Sequence, residues 1–428
     1  MEIIRKMLQD VKIPKMIKIQ QHFSNDEIID IEGAVAKELR NPQIANRVTK
    51  GMRIAVGVGS RGVAQISRIV RATIDELKRC GAEPFIVPAM GSHGGATAEG
   101  QIDVLANLGV TETSAGCPIL SSMEVIHLGI MDNGLPILID KNAFEADGII
   151  VINRIKAHNG FSGPNESGLV KMITIGLGKQ KGAESCHTLG WGSMAEFIVD
   201  MARIKLEKLP FLFGIGTVEN AYDRVRKIAA IPAEKIIEKE RVLLLEAKQS
   251  MPRLLLKPMD VLLVDMIGKE FSGGGMDPYT TGRAATPYIS VGPEPGRLAI
   301  LDVSEQSHGN CSGMGLADFS TRRLFHKINF EYTYANNITS TTLVSGKIPL
   351  IMDNDRLAVQ GSIKTCNILD ATQVRMVRIP NSLHVEKIYI SENMLEEANQ
   401  HPDITVLGEA EEIGFDEQGN ILNLGHVC

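Results

Sequence analysis

Residues 147–163 read DGIIVINRIKAHNGFSG. The first part, DGIIVIN (147–153), is a run of small and β-branched residues with no helical period, so it reads as a strand buried on both faces. The chain beyond it differs in kind. NRIKAHNGFSG (153–163) and SGLVKMITIGLGKQKGAESCH (167–187) interleave glycines with His158, His187, Arg154, Lys156, Lys171, Lys179 and Lys181. Packing alone rarely gathers so much basic and imidazole chemistry at a strand end, and the stretch reads as an active site.

Working outward, RIAVGVGS (53–60) is a strand ending in a glycine turn, and VAQISRIVRATIDELKR (63–79) is an amphipathic helix. EPFIVPAM (83–90) is a second strand, followed by the turn GSHGGAT and the helix-like TAEGQIDVLANLG. This βαβ alternation predicts α/β architecture with mostly parallel sheets flanked by helices. Further strand candidates are 123–130, 135–140, 260–268, 297–303, 370–379 and 385–390, and AEKIIEKERVLLLEAK (233–248) is a charged helix. With 428 residues the chain is long enough for two domains. Pro252 and Pro258 and the renewed strand pattern after them place the boundary near 250, giving domains 1–250 and 251–428. The expectation is a cofactor-binding catalytic N-terminal domain, a C-terminal domain contributing to substrate binding, and an active site in the cleft between them.

A net charge of −6 gives no general attraction to nucleic acid or anionic membranes, so the local basic cluster needs a local ligand. The six cysteines form no CxxC pair and no disulfide-like spacing, which fits a reducing compartment. No apolar run reaches membrane-spanning length, and the N-terminus has no signal-peptide pattern; a soluble, cytoplasmic protein is expected.

In open parallel sheets, ligands sit beyond the carboxyl ends of strands. Three glycine-rich turns fall there: GVGSRG (57–62), MGSHGGAT (90–97) and NRIKAHNGFSG (153–163), carrying Arg61, His93 and His158 respectively. Any one such turn is an ordinary βα connection, but three on one sheet edge point to a site. GVGSRG lacks the GxGxxG register, which disfavours free NAD. Lys171 is an amine inside the apolar stretch LVKMITI, where a lysine either snorkels or has a purpose. Lys179 and Lys181 in GKQKG read as solvated or as phosphate contacts. No HExxH and no Cys/His zinc spacing is present, so a metal held by protein ligands alone is poorly supported.

These residues resemble the lactate racemase family, whose enzymes carry a nickel-pincer nucleotide (pyridinium-3-thioamide-5-thiocarboxylic acid mononucleotide nickel). In that family a lysine within a GFSGG-x-K-S-I-x-P-G-like pattern is joined to the cofactor, and a histidine sixteen residues later binds nickel. Here GFSG occupies 160–163, Lys171 opens KMITIG, and His187 falls at the family's spacing. The resemblance implies that Lys171 anchors the cofactor and His187 is the nickel ligand. It implies that His93 and His158 are the two acid/base histidines and that Ser60 and Arg61 belong to the cofactor-binding turn, with Lys179 beside them. Arg61 and Lys269, in GKEFSGGGMDP, would contact substrate. The chain departs from the pattern in three places. It lacks the Asp before the arginine, it has Gly94 after His93, and four extra residues separate GFSG from Lys171. The pocket should therefore differ from a lactate pocket.

The implied activity is racemisation or epimerisation at C2 of a 2-hydroxy acid through a 2-keto acid. The implied partners are that small-molecule substrate and the enzymes that make the cofactor. Two other readings share the same turns. One is an oxidoreductase using the same cofactor, which would release keto acid. The other is a non-catalytic binder of a phosphorylated ligand, which would need Arg61 and the lysines but neither histidine.

Overall fold

The computed structural model describes residues 1–60, 62–289 and 291–425. The chain forms two compact units, Ser24–Met251 and a second made from Met1–Phe23 with Pro252–Cys428. The first 23 residues thus pack with the C-terminal part, a change from the 1–250 and 251–428 division.

The Ser24–Met251 unit is built on a five-stranded sheet. Its order is Glu83–Pro88, Arg53–Val58, Gly148–Arg154, Phe211–Glu219, Val225–Pro232. The first four strands are parallel, and the last returns antiparallel on its neighbour. The strand register shows why GIIVI has no polar alternation. Ile149 and Val151 enter one core with Phe85 and Val87, while Ile150 and Ile152 enter the opposite core with Ile54, Val56 and Ile86. Both faces are covered by helices, so every position must be apolar. Ile66–Arg79 buries Ile69, Val70 and Leu77 on one face, and Met194–Lys208 buries Phe197, Ile198, Met201 and Ala202 on the other. The strand candidates at 123–130 and 135–140 form their own antiparallel pair, Val125–Ile130 with Pro136–Asp140, outside this sheet.

The other unit carries an eight-stranded mixed sheet in which Val261–Ile267 is central, between Arg297–Val303 and Met376–Ile379. Its N-terminal contribution, Met16–Gln21, lies between Lys387–Ser391 and Ile404–Val406 and is antiparallel to both. Within it, Arg378 makes a two-pronged ion pair with the fully buried Asp265, both contacts at 2.8 Å. The expected architecture, α/β with mostly parallel sheets flanked by helices, is the one observed. Among the described residues no helix is long and apolar enough to cross a membrane.

Candidate active site

The carboxyl ends of three adjacent parallel strands, Glu83–Pro88, Arg53–Val58 and Gly148–Arg154, open onto one cavity. Its wall includes Ser60 from the first turn, His93 from the second, Asn153, Arg154 and Lys156 from the third, and Lys171. Sequence neighbours do not make this site. Strand order does.

Ser60 Oγ is hydrogen-bonded to His93 Nδ1. The His93 carbonyl accepts from Gln101 Nε2 at 3.3 Å, and the same amide donates to Gly91 O at 2.9 Å, so the turn is tied to the helix that follows it. Arg61 lies outside the described residues. Arg154 pairs with Glu219, whose other oxygen accepts from Ala64 N–H at 2.7 Å.

His158 is nearly buried, at 6% exposure. Its backbone N–H donates to Glu166 Oε2 at 2.7 Å, and Glu166 also accepts from Gly163 N–H and from Lys248 Nζ, fixing the AHNGFSG loop. The ring is held at both nitrogens. Nδ1 accepts from Gly160 N–H at 3.0 Å, and Nε2 lies 2.7 Å from Lys171 Nζ. An Nδ1 that accepts carries no proton, so the neutral ring has its proton on Nε2. In that tautomer the 2.7 Å contact is an Nε2–H···Nζ bond, which needs an unprotonated Lys171 amine; with the ring proton on Nδ1 a charged Lys171 would donate to Nε2 instead.

Lys171 ends a short helical turn, Leu169–Lys171, that widens at once into a π-turn, Met172–Gly176. Gly176 is required here because a Cβ would stand 2.6 Å from the Ala89 carbonyl oxygen. On the other side, His187 belongs to the helix Lys179–Thr188. Burial, joined by the Lys171 amine whenever that carries a proton, pushes its pKa down to about 4, so the ring is neutral at physiological pH. Its Nδ1 is buried without a hydrogen-bond partner among the described residues. Trp191, the single tryptophan of the chain, packs against both imidazoles, its ring 5.4 Å from His158 and 5.1 Å from His187.

Lys179 requires a correction. It is neither solvated nor open to a phosphate: it is fully buried, donating to Pro88 O at 2.9 Å and Gln101 Oε1 at 2.5 Å, with Asp140 Oδ2 at 3.5 Å. Its amine ties the end of the Glu83–Pro88 strand to two other elements. Lys269 lies in the other unit, where its Nζ donates to Gly273 O at 2.9 Å and its backbone N–H to Ser307 Oγ at 2.8 Å. Sequence reasoning missed Glu166, Lys205 and Glu240, all fully buried around the Lys171 segment. The last two had a signal. Lys205 falls in register with buried Ile198, Met201 and Ala202, and Glu240 with buried Ile236, Leu243, Leu244 and Ala247. An ionisable residue interrupting an apolar stripe is a cue for a buried role.

Among the described residues, no group of three or more His, Cys, Asp or Glu side chains could hold a metal by itself. A single neutral imidazole with an unused nitrogen, near an amine lining a cavity, suits a metal whose remaining ligands arrive on a covalently tethered organic group.

The site and fold define an α/β protein with histidines and a lysine at the carboxyl ends of parallel strands. Residues 4–196 match the family model for the lactate racemase N-terminal domain. No curated protein matches it by sequence. Among solved structures it is similar to the lactate racemase apoprotein from Thermoanaerobacterium thermosaccharolyticum. That match has 16% identity and a TM-score of 0.49, over 76% of this chain and 85% of that one. It is also similar to a structural-genomics protein from Thermotoga maritima, with 12% identity and a TM-score of 0.50, over 82% and 94%.

Proposed function

We propose that this chain is a racemase or epimerase that inverts C2 of a 2-hydroxy acid, using a nickel-pincer nucleotide joined to Lys171. The observation that carries the reading is the 2.7 Å contact between His158 Nε2 and Lys171 Nζ, with Lys171 sharing its cavity with His93. An anchor and two imidazoles on one site are the parts such a reaction needs. When bound, the cofactor would supply a hydride acceptor and donor, which avoids deprotonating a carbon next to a carboxylate.

Lys171 would hold the cofactor covalently, and His187 would give nickel its one protein nitrogen. The fit rests on the buried, partnerless Nδ1 of His187 and on its neutral state. The remaining chemistry belongs to the chain. Each enantiomer presents its hydroxyl on an opposite side, so one histidine takes that proton in one direction and the other returns it. His93 is held by Ser60 for this task. His158 Nε2 lies 2.7 Å from Lys171 Nζ while that amine carries no cofactor. Once Nζ is bonded to the cofactor it is no longer a basic amine; to take a hydroxyl proton Nε2 must then be unprotonated, with the ring proton on Nδ1 and the Gly160 N–H turned away from it. Arg61 is assigned the substrate carboxylate, for which a guanidinium gives two parallel hydrogen bonds. Lys179 is given no part in cofactor binding.

The test is interconversion of enantiomers of a 2-hydroxy acid panel by protein produced with the cofactor-making enzymes, read by chiral chromatography. His93→Ala and His158→Ala should each lower the rate by on the order of 10²–10⁴. Undiminished racemisation in both would remove the assignment, and net release of keto acid would favour the oxidoreductase reading.

A further inference from the structure

We propose that Lys205 and Glu240 are the positioning residues of Lys171: from opposite ends they hold the π-widened turn that presents its amine to the cavity. This role rests on the reading of Lys171 as the covalent anchor. It emerges from where the backbone groups of one short segment go.

A π-turn cannot satisfy its carbonyls by ordinary i to i+4 bonds, and buried carbonyls need partners. Those of residues 170–176 can be followed one by one. The Val170 and Lys171 carbonyls accept from Thr174 Oγ1 at 3.0 and 3.2 Å. The Met172 carbonyl accepts from Leu177 N–H at 2.9 Å, five residues on. Those of Ile173 and Thr174 both accept from Lys205 Nζ, at 2.9 Å each. The Ile175 and Gly176 carbonyls accept from Gly178 and Gly91 N–H. Two of the seven thus depend on one amine that reaches in from the neighbouring helix, Met194–Lys208.

The start of the segment is held by a carboxyl group. Glu240 Oε2 accepts from Val170 N–H at 2.9 Å, and Oε1 accepts from Asn165 Nδ2 at 3.1 Å. Gly168 admits this carboxylate, since a Cβ there would stand 2.5 Å from Glu240 Oε2. An acid at the N–H end and a base at the carbonyl end complement the dipole of the turn between them. Neither side chain lines the cavity, and both are fully buried. In both positions an apolar residue would continue the stripe of its helix at no desolvation cost, so the retained ionisable groups require another reason. Holding Lys171 within reach of one target atom supplies it.

The test uses the apoprotein and needs no cofactor. Wild type, Lys205→Met and Glu240→Gln are treated with a small acetylating ester. The rate at Lys171 is divided by that at the exposed Lys37 and Lys364 in the same sample, with peptide mass spectrometry as the readout. Lys205→Met should lower the ratio about tenfold or more, because the amine loses the orientation on the cavity wall from which it meets the reagent. Glu240→Gln should move it in the same direction. Lys205→Gln, which keeps two N–H donors without the charge, should label faster than the Met variant. A wild-type ratio in folded Lys205→Met protein, or no difference between Met and Gln, would overturn the proposal and leave Lys205 a fold-stabilising residue only. Should Lys205→Met not fold, Thr174→Val decides. It removes the hydroxyl shared by the Val170 and Lys171 carbonyls, must also slow labelling, and an unchanged ratio there overturns the proposal equally. Loss of cofactor attachment with these ratios intact would instead count against the racemase reading.

Discussion

Lys179→Met separates a structural amine from a ligand-binding one. Lys179 and Asp140 are both at 0% exposure, with Nζ 3.5 Å from Oδ2, and that oxygen has no hydrogen-bond partner among the described residues. Burial lowers the pKa of the lysine and raises that of the aspartate, each opposed by the partner's charge. Removing the lysine strips Asp140 of the cation it faces and leaves Gln101 Oε1 and the Pro88 carbonyl without their donor. Breaking a buried pair from one side costs about 3–5 kcal/mol. For a unit of this size that is a fall in melting temperature of roughly 10 °C. Urea unfolding at neutral pH, followed by circular dichroism, measures it. Asp140→Asn in the same chain should recover part of the loss, because the uncompensated charge is gone while the cap on Ala143 N–H can persist. The variant's deficit should also shrink as the pH falls and Asp140 becomes protonated. A stability change within about 0.5 kcal/mol, the range of ordinary surface substitutions, would refute the structural role and make Lys179 a candidate ligand contact again.

Glu240, raised by burial to a pKa of about 7, binds a proton in the folded state that the unfolded chain has released above about pH 4.5. Stability contributed at this site therefore falls as pH rises from about 4.5 to 7, by about 3 kcal/mol at 1.36 kcal/mol per pKa unit. Glu240→Gln should lack that slope in denaturant titrations at matched pH, and an equal slope in both proteins would contradict the burial argument. Nitrogen NMR of ring-labelled apoprotein should find His158 Nδ1 unprotonated and Nε2 protonated; the reverse tautomer would restore a charged Lys171. Gly160→Ala places a methyl 2.9 Å from the Trp191 ring. It should shift the emission of that single tryptophan and lower the melting temperature, and unchanged emission would show that the loop does not pack on Trp191 as described.

The fold was legible where local pattern suffices. The apolar runs 54–58, 84–88 and 148–152 announce strands covered on both faces, and the order of turns then places Ser60, His93 and Lys171 on one edge. Met16–Gln21 was not legible. Its partners, Lys387–Ser391 and Ile404–Val406, lie at the far end of the chain, and no local signal encodes such a pairing. FLFGIGTVE (211–219) and its antiparallel neighbour escape notice because glycines interrupt the β-branched run, although these positions are buried. At the site, Lys171 could be read from a lysine set among apolar residues. Lys179 misleads because its glycine-rich, basic surroundings look like a solvated loop, whereas Asp140, Gln101 and Pro88, which enclose it, come from distant parts of the sequence. Lys205 and Glu240 were hidden for a different reason: each occupies an ordinary-looking helix, and only the helical register reveals the inward position.

Lys171 is proposed to anchor a cofactor. Protein produced together with the cofactor-making enzymes, weighed intact beside Lys171→Ala produced identically, tests it most directly. Added mass matching a nickel-pincer nucleotide is expected on the parent, mapped to the peptide containing Lys171, and none on the variant. An unmodified parent, under conditions that load an established lactate racemase, would contradict it.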